Sequence, residues 1–314
     1  MARLINRRTL LAAGPGVLTT LGLIGGMGIA RASEAAVGTG ALDAKAEARK
    51  IAFDRVGKGD VVFMISGFPS TRRSWKKLIP LLSKDYQCVP ADLPSFGDSG
   101  FLAAPATTEN VARVFHEFSA ANFSGPVHVI GHDVGAWCAA TWALLFPGDF
   151  RKLTLIDAGI PGMTLANDVQ LTDYFRKWNF MFHLLPTLPG QLTQGKEDIY
   201  VGWWFANKVH TPGSVPPGDV AAYVRAYARP GRMDAAFDYF RQILKDMDFN
   251  KGLVARKSTV PLLAVGGEYA IPEMGQSLKP YFENVTGVVV PNSGHFVPEE
   301  QPEALFKALK AYLV

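Results

Sequence analysis

The sequence predicts an α/β protein in which a mostly parallel central sheet is flanked by helices and carries an inserted helical cap. Short apolar runs alternate with helical patterns along the chain, an order that is typical of parallel sheets. The runs are apolar throughout, as expected for strands covered on both faces. With 314 residues, 48% hydrophobic and 19% charged, the chain can bury a large core and is not a disordered or coiled-coil protein.

These two patterns predict the strands and helices of the sheet domain. The strand runs, in chain order, are Val61–Ser66, a strand end at Cys88–Asp92, Val127–Ile130, Leu153–Asp157, Val260–Val265 and Gly287–Val290. The helical patterns are Trp75–Leu82, Thr108–Asn122, Gly135–Phe146 and Glu303–Leu313. Because helical patterns lie between the strand runs, we expect the strands to lie parallel in one sheet with helices on both sides.

The stretch 161–248 interrupts this alternation, because it shows helical and loop patterns and no convincing strand. It is rich in aromatic residues, so we interpret it as a helical cap that packs on the sheet domain and lines a cleft with a few of its aromatic side chains. The predicted organisation is an export signal at 1–32, the first part of the core at 33–160, the cap at 161–248 and the second part of the core at 249–314.

The N-terminus has the pattern of an export signal. Arg7 and Arg8 precede an apolar run from Leu10 to Ala30, and Ala30–Ala32 is a potential cleavage site. A membrane anchor is the alternative, but Pro15 and six glycines within the run weaken a spanning helix. We therefore expect a periplasmic or secreted protein without a stable membrane anchor after cleavage, exported by the twin-arginine or the general route.

Charge and cysteine content exclude several classes of protein. The first 32 residues contain four arginines and no acidic residue, so they account for the formal net charge of +4 and the rest of the chain is neutral. A neutral body lacks a phosphate-binding surface, which excludes a nucleic-acid partner. Cys88 and Cys138 lie in separate predicted core elements and are expected to pack as apolar residues. No metal-ligand spacing is present, so neither a metal nor another cofactor is expected.

The most informative motif is Gly131-His132-Asp133-Val134-Gly135, between a predicted buried strand and a predicted helix. A strained strand-to-helix turn forces its middle residue towards positive φ and needs small neighbours. Asp133 should then project alone near the helix N-terminus, where the helix dipole stabilises an anion. This is the pattern of a nucleophile elbow with aspartate in place of serine. The alternative is a tight turn in which Asp133 caps the helix.

An aspartate nucleophile attacks an sp³ carbon that bears a leaving group and forms an alkyl-enzyme ester. Hydrolysis of that ester needs a base and an oxyanion hole. His295, in the loop after the last predicted strand, is the predicted base. The backbone N–H groups of Phe68 and Val134 are the predicted oxyanion hole. The carboxylate that orients the histidine is predicted to be Asp157, with Glu268 as the alternative.

These motifs resemble the α/β-hydrolase superfamily and, within it, the branch of epoxide hydrolases and dehalogenases. The resemblance runs from about residue 50 to the C-terminus, and G-H-D-V-G at 131–135 and S-G-H-F at 293–296 carry it. With its leader, Asp157 and the loop at Gly266-Gly267, the chain is most similar to secreted epoxide hydrolases of the Cif type. The resemblance implies the α/β-hydrolase fold. Most relatives have an acid after the later strand, where this chain has Ala270, and this favours Asp157 as the orienting carboxylate.

The sequence departs from the family pattern at three positions. Ser66 stands where the family usually has histidine. The family's cap tyrosine directly precedes an arginine, and Phe240 occupies that place, with Tyr239 one residue earlier and about 100° away on a helix. Asn179 replaces a family cap histidine. The candidates for binding or protonating the leaving group are Tyr239, Asn179, His183, Trp178 and Tyr174.

The predicted function is that of an epoxide hydrolase-like hydrolase, which opens an apolar epoxide to a diol through an ester on Asp133. The first alternative is a haloacid or haloalkane dehalogenase with the same machinery. Val134, where haloalkane enzymes often have tryptophan, and the lack of arginine beside Asp133 count against it. The second alternative is a non-catalytic binding protein on the same fold. The expected partners are a small apolar organic substrate and water, and the chain is expected to be a monomer or a homodimer.

Overall fold

The computed structural model describes residues 41–165 and 174–314, with the side chains of the second range described from residue 177. The predicted export signal therefore lies outside the described residues. Within them, no helix is long and apolar enough to cross a membrane.

Six parallel strands form one sheet, in the order β2-β1-β3-β4-β5-β6, which confirms the predicted α/β class. The strands are β1 (Val61–Ile65), β2 (Gln87–Ala91), β3 (Val127–His132), β4 (Phe150–Ile156), β5 (Leu262–Gly267) and β6 (Val285–Val290). The register pairs Ile65 of β1 with Gly131 of β3, and Gly131 with Leu155 of β4. The carboxyl ends of these three central strands therefore meet at one edge of the sheet.

From residue 41 onward, the first half of the core contains four helices and two short 3₁₀ turns. The helices are α1 (Ala44–Ala48), α2 (Ile79–Leu82), α3 (Thr108–Asn122) and α4 (Val134–Leu145), and the 3₁₀ turns are Arg72–Trp75 and Pro147–Asp149. The single helix predicted for Trp75–Leu82 is instead a 3₁₀ turn followed by the one turn of α2. Pro80 explains the break, because proline fits only the first turn of a helix.

In the described parts of the inserted segment, 161–165 and 174–248, the regular elements are helices and no strand occurs. The cap helices are α5 (Tyr174–His183), α6 (Leu188–Thr193), α7 (Glu197–Asn207), α8 (Pro217–Tyr227), α9 (Arg232–Arg241) and α10 (Ile243–Leu253). The predicted boundary between 248 and 249 falls inside α10, which continues to Leu253. α10 also joins the core, since the buried Asp246 carboxylate accepts the Thr108 N–H at 2.8 Å.

The chain returns to the core through β5 and ends in three helices, α11 (Met274–Ser277), α12 (Val297–Glu300) and α13 (Pro302–Leu313). Leu305 and Leu309 of α13 pack on one face of the sheet with Val62 and Met64, while α3 and α4 cover the other face. β6 was predicted to be covered on both faces, but Val289 is 46% exposed. β2, at the other edge of the sheet, is buried along most of its length, so the exposure of β6 means that the elements packed on its faces cover it only in part. Cys88 and Cys138 are both free and buried.

Candidate active site

The turn between β3 and α4 has Asp133 at its apex. Asp133 has φ 53° and ψ −124°, a conformation that costs a non-glycine residue about 1–3 kcal/mol and persists where the surroundings hold it. Its N–H donates to the Ile156 carbonyl of β4 at 3.2 Å. A Cβ on Gly135 would lie 2.5 Å from the Ile65 carbonyl of β1, so only glycine lets α4 approach the sheet this closely. The predicted strand–turn–helix geometry is present.

The two carboxylate oxygens of Asp133 have separate partners. Oδ1 accepts the Phe68 N–H at 2.8 Å, and Oδ2 lies 3.3 Å from His295 Nε2. Burial alone would raise the pKa of Asp133, but the interactions with His295 and the Val134 N–H outweigh it and lower the pKa. The carboxylate is therefore ionised at neutral pH, and its side chain is 15% exposed.

Asp157 is the carboxylate that meets the other nitrogen of His295. Its Oδ2 lies 2.7 Å from His295 Nδ1, and its Oδ1 accepts the N–H groups of Gly267 and Ile271 at 3.0 and 3.1 Å. These backbone donors fix a side chain that is 1% exposed. Glu268, the alternative, is exposed and accepts a backbone N–H of the following loop at 2.8 Å. The structure therefore brings Asp157 to the imidazole and leaves Glu268 away from it.

His295 is an imidazolium while Asp133 is ionised. Burial would lower its pKa, but Asp133 and Asp157 raise it to about 10. The 3.3 Å contact of Nε2 with Asp133 is an ion pair without hydrogen-bond alignment, and Nε2 has no other partner among the described residues. Loss of the charge on Asp133 would lower the pKa of His295 and allow it to act as a base.

A cavity of about 690 Å³ opens beside Asp133 and His295, a size that suits a small-molecule site. The aromatic part of its lining includes Trp137 of α4 and Phe180, Trp204 and Phe240 of the cap. The polar part includes Lys177, Asn179, Lys208 and His210 of the cap and Tyr269 of the core. The acidic Glu273 also lines it, so the cavity joins an aromatic wall to a polar rim of mixed charge.

Asn179 is the leaving-group candidate that lines this cavity. It is 3% exposed, and its Oδ1 has no hydrogen-bond partner in the part of the chain that the structure describes. Tyr239 is buried and its hydroxyl donates to the Pro94 carbonyl at 2.8 Å, so it is directed to the core instead of the cavity. Phe240, the next residue, faces the cavity in its place.

The other candidates pack the cap. His183 is buried, its Nε2 is hydrogen-bonded to the Tyr200 hydroxyl, and its ring stacks on Phe237 at 4.4 Å between centroids. Burial lowers the pKa of His183 to about 3, so the ring is neutral. Trp178 packs edge-on against the ring of Trp203. The side chain of Tyr174 lies outside the described residues.

Two residues that support His295 were missed in the sequence. The neutral ring of His132 donates from Nε2 to the His295 carbonyl at 2.8 Å, and burial followed by the nearby charge of His295 lowers its pKa to about 4. The Glu300 carboxylate accepts the N–H groups on both sides of His295, those of Gly294 and Phe296. The sequence signal for Glu300 is its place five residues after the histidine. Among the described side chains, no group of three or more His, Cys, Asp or Glu is arranged to hold a metal ion.

Residues 62–308 match the alpha/beta hydrolase family, and the chain belongs to that family. The soluble epoxide hydrolase of Corynebacterium sp. (strain C12) is 26% identical over 251 residues, 79% of this chain and 87% of that protein. The fluoroacetate dehalogenase of a Burkholderia sp. is 22% identical over 278 residues, 82% of this chain and 88% of that protein.

Solved structures of other proteins also match this chain. Cfl2 of Burkholderia cenocepacia matches with a TM-score of 0.81 and 34% identity, over 84% of this chain and 92% of that chain. The epoxide hydrolase CorEH matches with a TM-score of 0.79 and 24% identity, over 84% and 95%, which is a likeness of fold. The predicted α/β-hydrolase fold and the resemblance to the epoxide hydrolase and dehalogenase branch are confirmed.

Proposed function

We propose that this protein is an epoxide hydrolase-like hydrolase that opens an apolar epoxide to a diol through an alkyl ester on Asp133. The observation that carries the proposal is the environment of Asp133, with Oδ1 on the Phe68 N–H and Oδ2 beside His295, whose other nitrogen is held by Asp157. Relatives that are named epoxide hydrolases support it.

In the first half-reaction, Asp133 Oδ2 attacks an epoxide carbon and the ring carbon–oxygen bond breaks. The ring oxygen becomes an alkoxide on the same molecule and takes up one proton from water, and the hydroxide that this leaves is neutralised by the proton of the His295 imidazolium. Oδ1 stays on the Phe68 N–H and becomes the carbonyl oxygen of the ester. The lowered pKa of Asp133 supports this step, because it keeps the nucleophile ionised.

In the second half-reaction, His295 acts as the base. The ester is uncharged, so the pKa of His295 falls and its Nε2 can take a proton from water. The resulting hydroxide attacks Cγ of Asp133, and the Phe68 and Val134 N–H groups stabilise the charge on Oδ1. Cleavage of the Cγ–Oδ2 bond expels Oδ2 as the second alkoxide of the diol, and this alkoxide takes the remaining proton of the attacking water. The diol is released, and Asp133 is again a carboxylate, now with one solvent oxygen. His295 ends the cycle as an imidazolium, because the proton that it takes from the attacking water replaces the one that it lost after the ring opened.

Asn179 is our candidate for the group that binds the leaving oxygen. Its amide can donate a hydrogen bond into the cavity, and its unpartnered Oδ1 can accept one from the substrate. An amide does not release a proton, and Phe240 stands where the family has its phenol. Hydrogen bonding by Asn179 therefore assists ring opening without acting as the acid.

Phe240 also favours a second candidate function, removal of halide from a small haloacid. A halide leaves without a proton, so it needs N–H donors and no phenol. Lys177 and Lys208 are among the residues that line the same cavity, together with Glu273, and the positive charge of the two lysines favours the carboxylate of such a substrate. The relative named fluoroacetate dehalogenase supports this candidate.

Mass spectrometry of the His295→Gln variant distinguishes the two candidates, because the ester should persist without the base. Incubation with styrene oxide is expected to add the full substrate mass to the peptide that contains Asp133. An adduct from chloroacetate alone, with loss of the halide, would assign dehalogenation instead. A folded variant that forms neither adduct would leave a binding protein. Asp133→Ala combined with His295→Gln is the matched control and should form none.

A further inference from the structure

Glu300 is the last residue of α12 and binds the loop that carries His295. Its Oε2 accepts the N–H groups of His210 at 2.6 Å and Gly294 at 3.1 Å, and its Oε1 accepts that of Phe296 at 3.0 Å. Two of these donors flank His295 in the chain, and the third belongs to the cap. One carboxylate therefore accepts three backbone N–H groups. These hydrogen bonds are strong because the acceptor is charged.

The cap also contacts the loop between β6 and α12 directly. This loop, residues 291–296, carries His295 and is called the histidine loop below. The His295 N–H donates to the Lys208 carbonyl at 2.9 Å. A Cβ on Gly294 would lie 2.5 Å from the Lys208 carbonyl and 2.6 Å from the His210 nitrogen, so the two backbones are as close as glycine permits. The cap segment 208–210 and the histidine loop are thus joined at backbone level, with Glu300 bridging them.

Asp133 does not share this support. Its position depends on the turn between β3 and α4, on the Ile156 carbonyl and on the Phe68 N–H. Loss of the Glu300 carboxylate would leave three backbone donors without their acceptor and allow the loop to shift. A displacement of about 1 Å in a reacting group can cost about 10²-fold in rate.

We propose that Glu300 is the positioning residue for His295, which it holds in register with Asp133 by tying the histidine loop to the cap segment 208–210. This rests on the proposed function, in which Asp133 forms the ester and His295 hydrolyses it. Glu300 then governs the second half-reaction and leaves the first one nearly unchanged. A residue that merely stabilised the fold would slow ester formation and ester hydrolysis alike.

The test compares Glu300→Ala and Glu300→Gln with Glu303→Gln, an exposed glutamate on α13. Single turnovers with styrene oxide are followed by mass spectrometry, which separates formation of the ester from its hydrolysis. For Glu300→Ala we expect ester hydrolysis to slow about 10- to 100-fold, formation to stay within about threefold of wild type, and the ester to accumulate. Glu300→Gln keeps one acceptor oxygen, so its rate of ester hydrolysis should lie between those of Glu300→Ala and wild type. Glu303→Gln should hydrolyse the ester at the wild-type rate.

Equal losses in both half-reactions, or none, in folded Glu300 variants would overturn the proposal. If Glu300→Ala does not fold, Glu300→Gln carries the test. A second readout does not depend on the reaction, namely the downfield proton resonance of the His295 Nδ1–Asp157 hydrogen bond. It should shift or broaden in the Glu300 variants and stay unchanged in Glu303→Gln, and an unchanged signal in all three overturns the proposal. Failure of wild type and His295→Gln to form any ester would sink the proposed function alone.

Discussion

Replacement of Asp157 by asparagine removes one charge from the candidate site with little change in volume. Asp157 receives His295 Nδ1 on one oxygen at 2.7 Å and two backbone N–H groups on the other at 3.0 and 3.1 Å. Asparagine has one acceptor oxygen for these three donors. Either its amide N–H faces Nδ1 and selects the wrong tautomer of His295, or it faces the two backbone donors and leaves them unpaired.

The magnitude follows from these alternatives. The wrong tautomer has its proton on Nε2, where the base must accept one, and this should slow ester hydrolysis by about 10³- to 10⁴-fold, or about 4–5 kcal/mol of activation free energy. Unpaired backbone donors cost about 1–3 kcal/mol of stability and lower Tm by about 2–6 °C. Ester formation depends on Asp133 and should change by less than about tenfold.

The variant should also change how stability depends on pH. The folded-state pKa of His295, about 10, lies above its ordinary value of 6.5, so the protonated imidazole stabilises the fold fully below about pH 6.5. That contribution is lost as pH rises through about 10. Asp157→Asn removes one of the two carboxylates that raise this pKa, so its Tm should fall less than that of wild type across this window.

Quench-flow with mass spectrometry measures both half-reactions, and thermal unfolding between pH 6 and pH 10 measures stability. Glu268→Gln is the control, because Glu268 is exposed and does not reach His295. Wild-type ester hydrolysis in Asp157→Asn, or a selective loss in Glu268→Gln, would refute the assignment of Asp157 as the orienting carboxylate.

Other substitutions test separate parts of the account. Phe240→Tyr places a phenol at the cavity wall and should speed ester formation from styrene oxide about 10²-fold in single turnovers. The rate of ester formation from chloroacetate should not change. Equal changes for both substrates would contradict our assignment of the leaving oxygen. Burial, together with the charge of Asp219, raises the pKa of Glu299 to about 8, so the stability that its neutral form contributes is present below about pH 4.5 and lost as pH rises through 8. Glu299→Gln should therefore show a flatter Tm profile over that window in thermal unfolding, and an unchanged profile would argue against it. The double substitution of Arg7→Lys and Arg8→Lys should abolish export if the route is twin-arginine, as measured by cell fractionation. Unaltered export would indicate the general route.

Local patterns predicted the parts of the molecule that neighbouring residues determine. The glycines around Asp133 indicate a sharp turn because that geometry needs small residues within a few positions of the apex. The same holds for β1 to β5, whose apolar runs are buried, whereas the apolar run of β6 is partly exposed. Trp75–Leu82 shows the limit of such patterns, because the helical periodicity was visible but the effect of Pro80 prevailed.

Contacts between distant segments could not be read from the sequence. Tyr239 and Phe240 are adjacent, yet one binds the Pro94 carbonyl of the core and the other lines the cavity. Which of them faces the cavity depends on how α9 is rotated against the core. Glu300 was missed for a related reason, because its partners are backbone N–H groups, which every residue except proline has and which leave no trace in residue identity.

The central claim is that Asp133 forms and loses a covalent bond to carbon in each catalytic cycle. A single turnover of excess enzyme with styrene oxide in ¹⁸O-labelled water tests it, followed by mass analysis of the peptide that contains Asp133. We predict that one ¹⁸O atom enters the Asp133 carboxylate and that the diol carries unlabelled oxygen. Label in the diol with none in Asp133 would mean that water attacks the substrate directly, and would contradict the account.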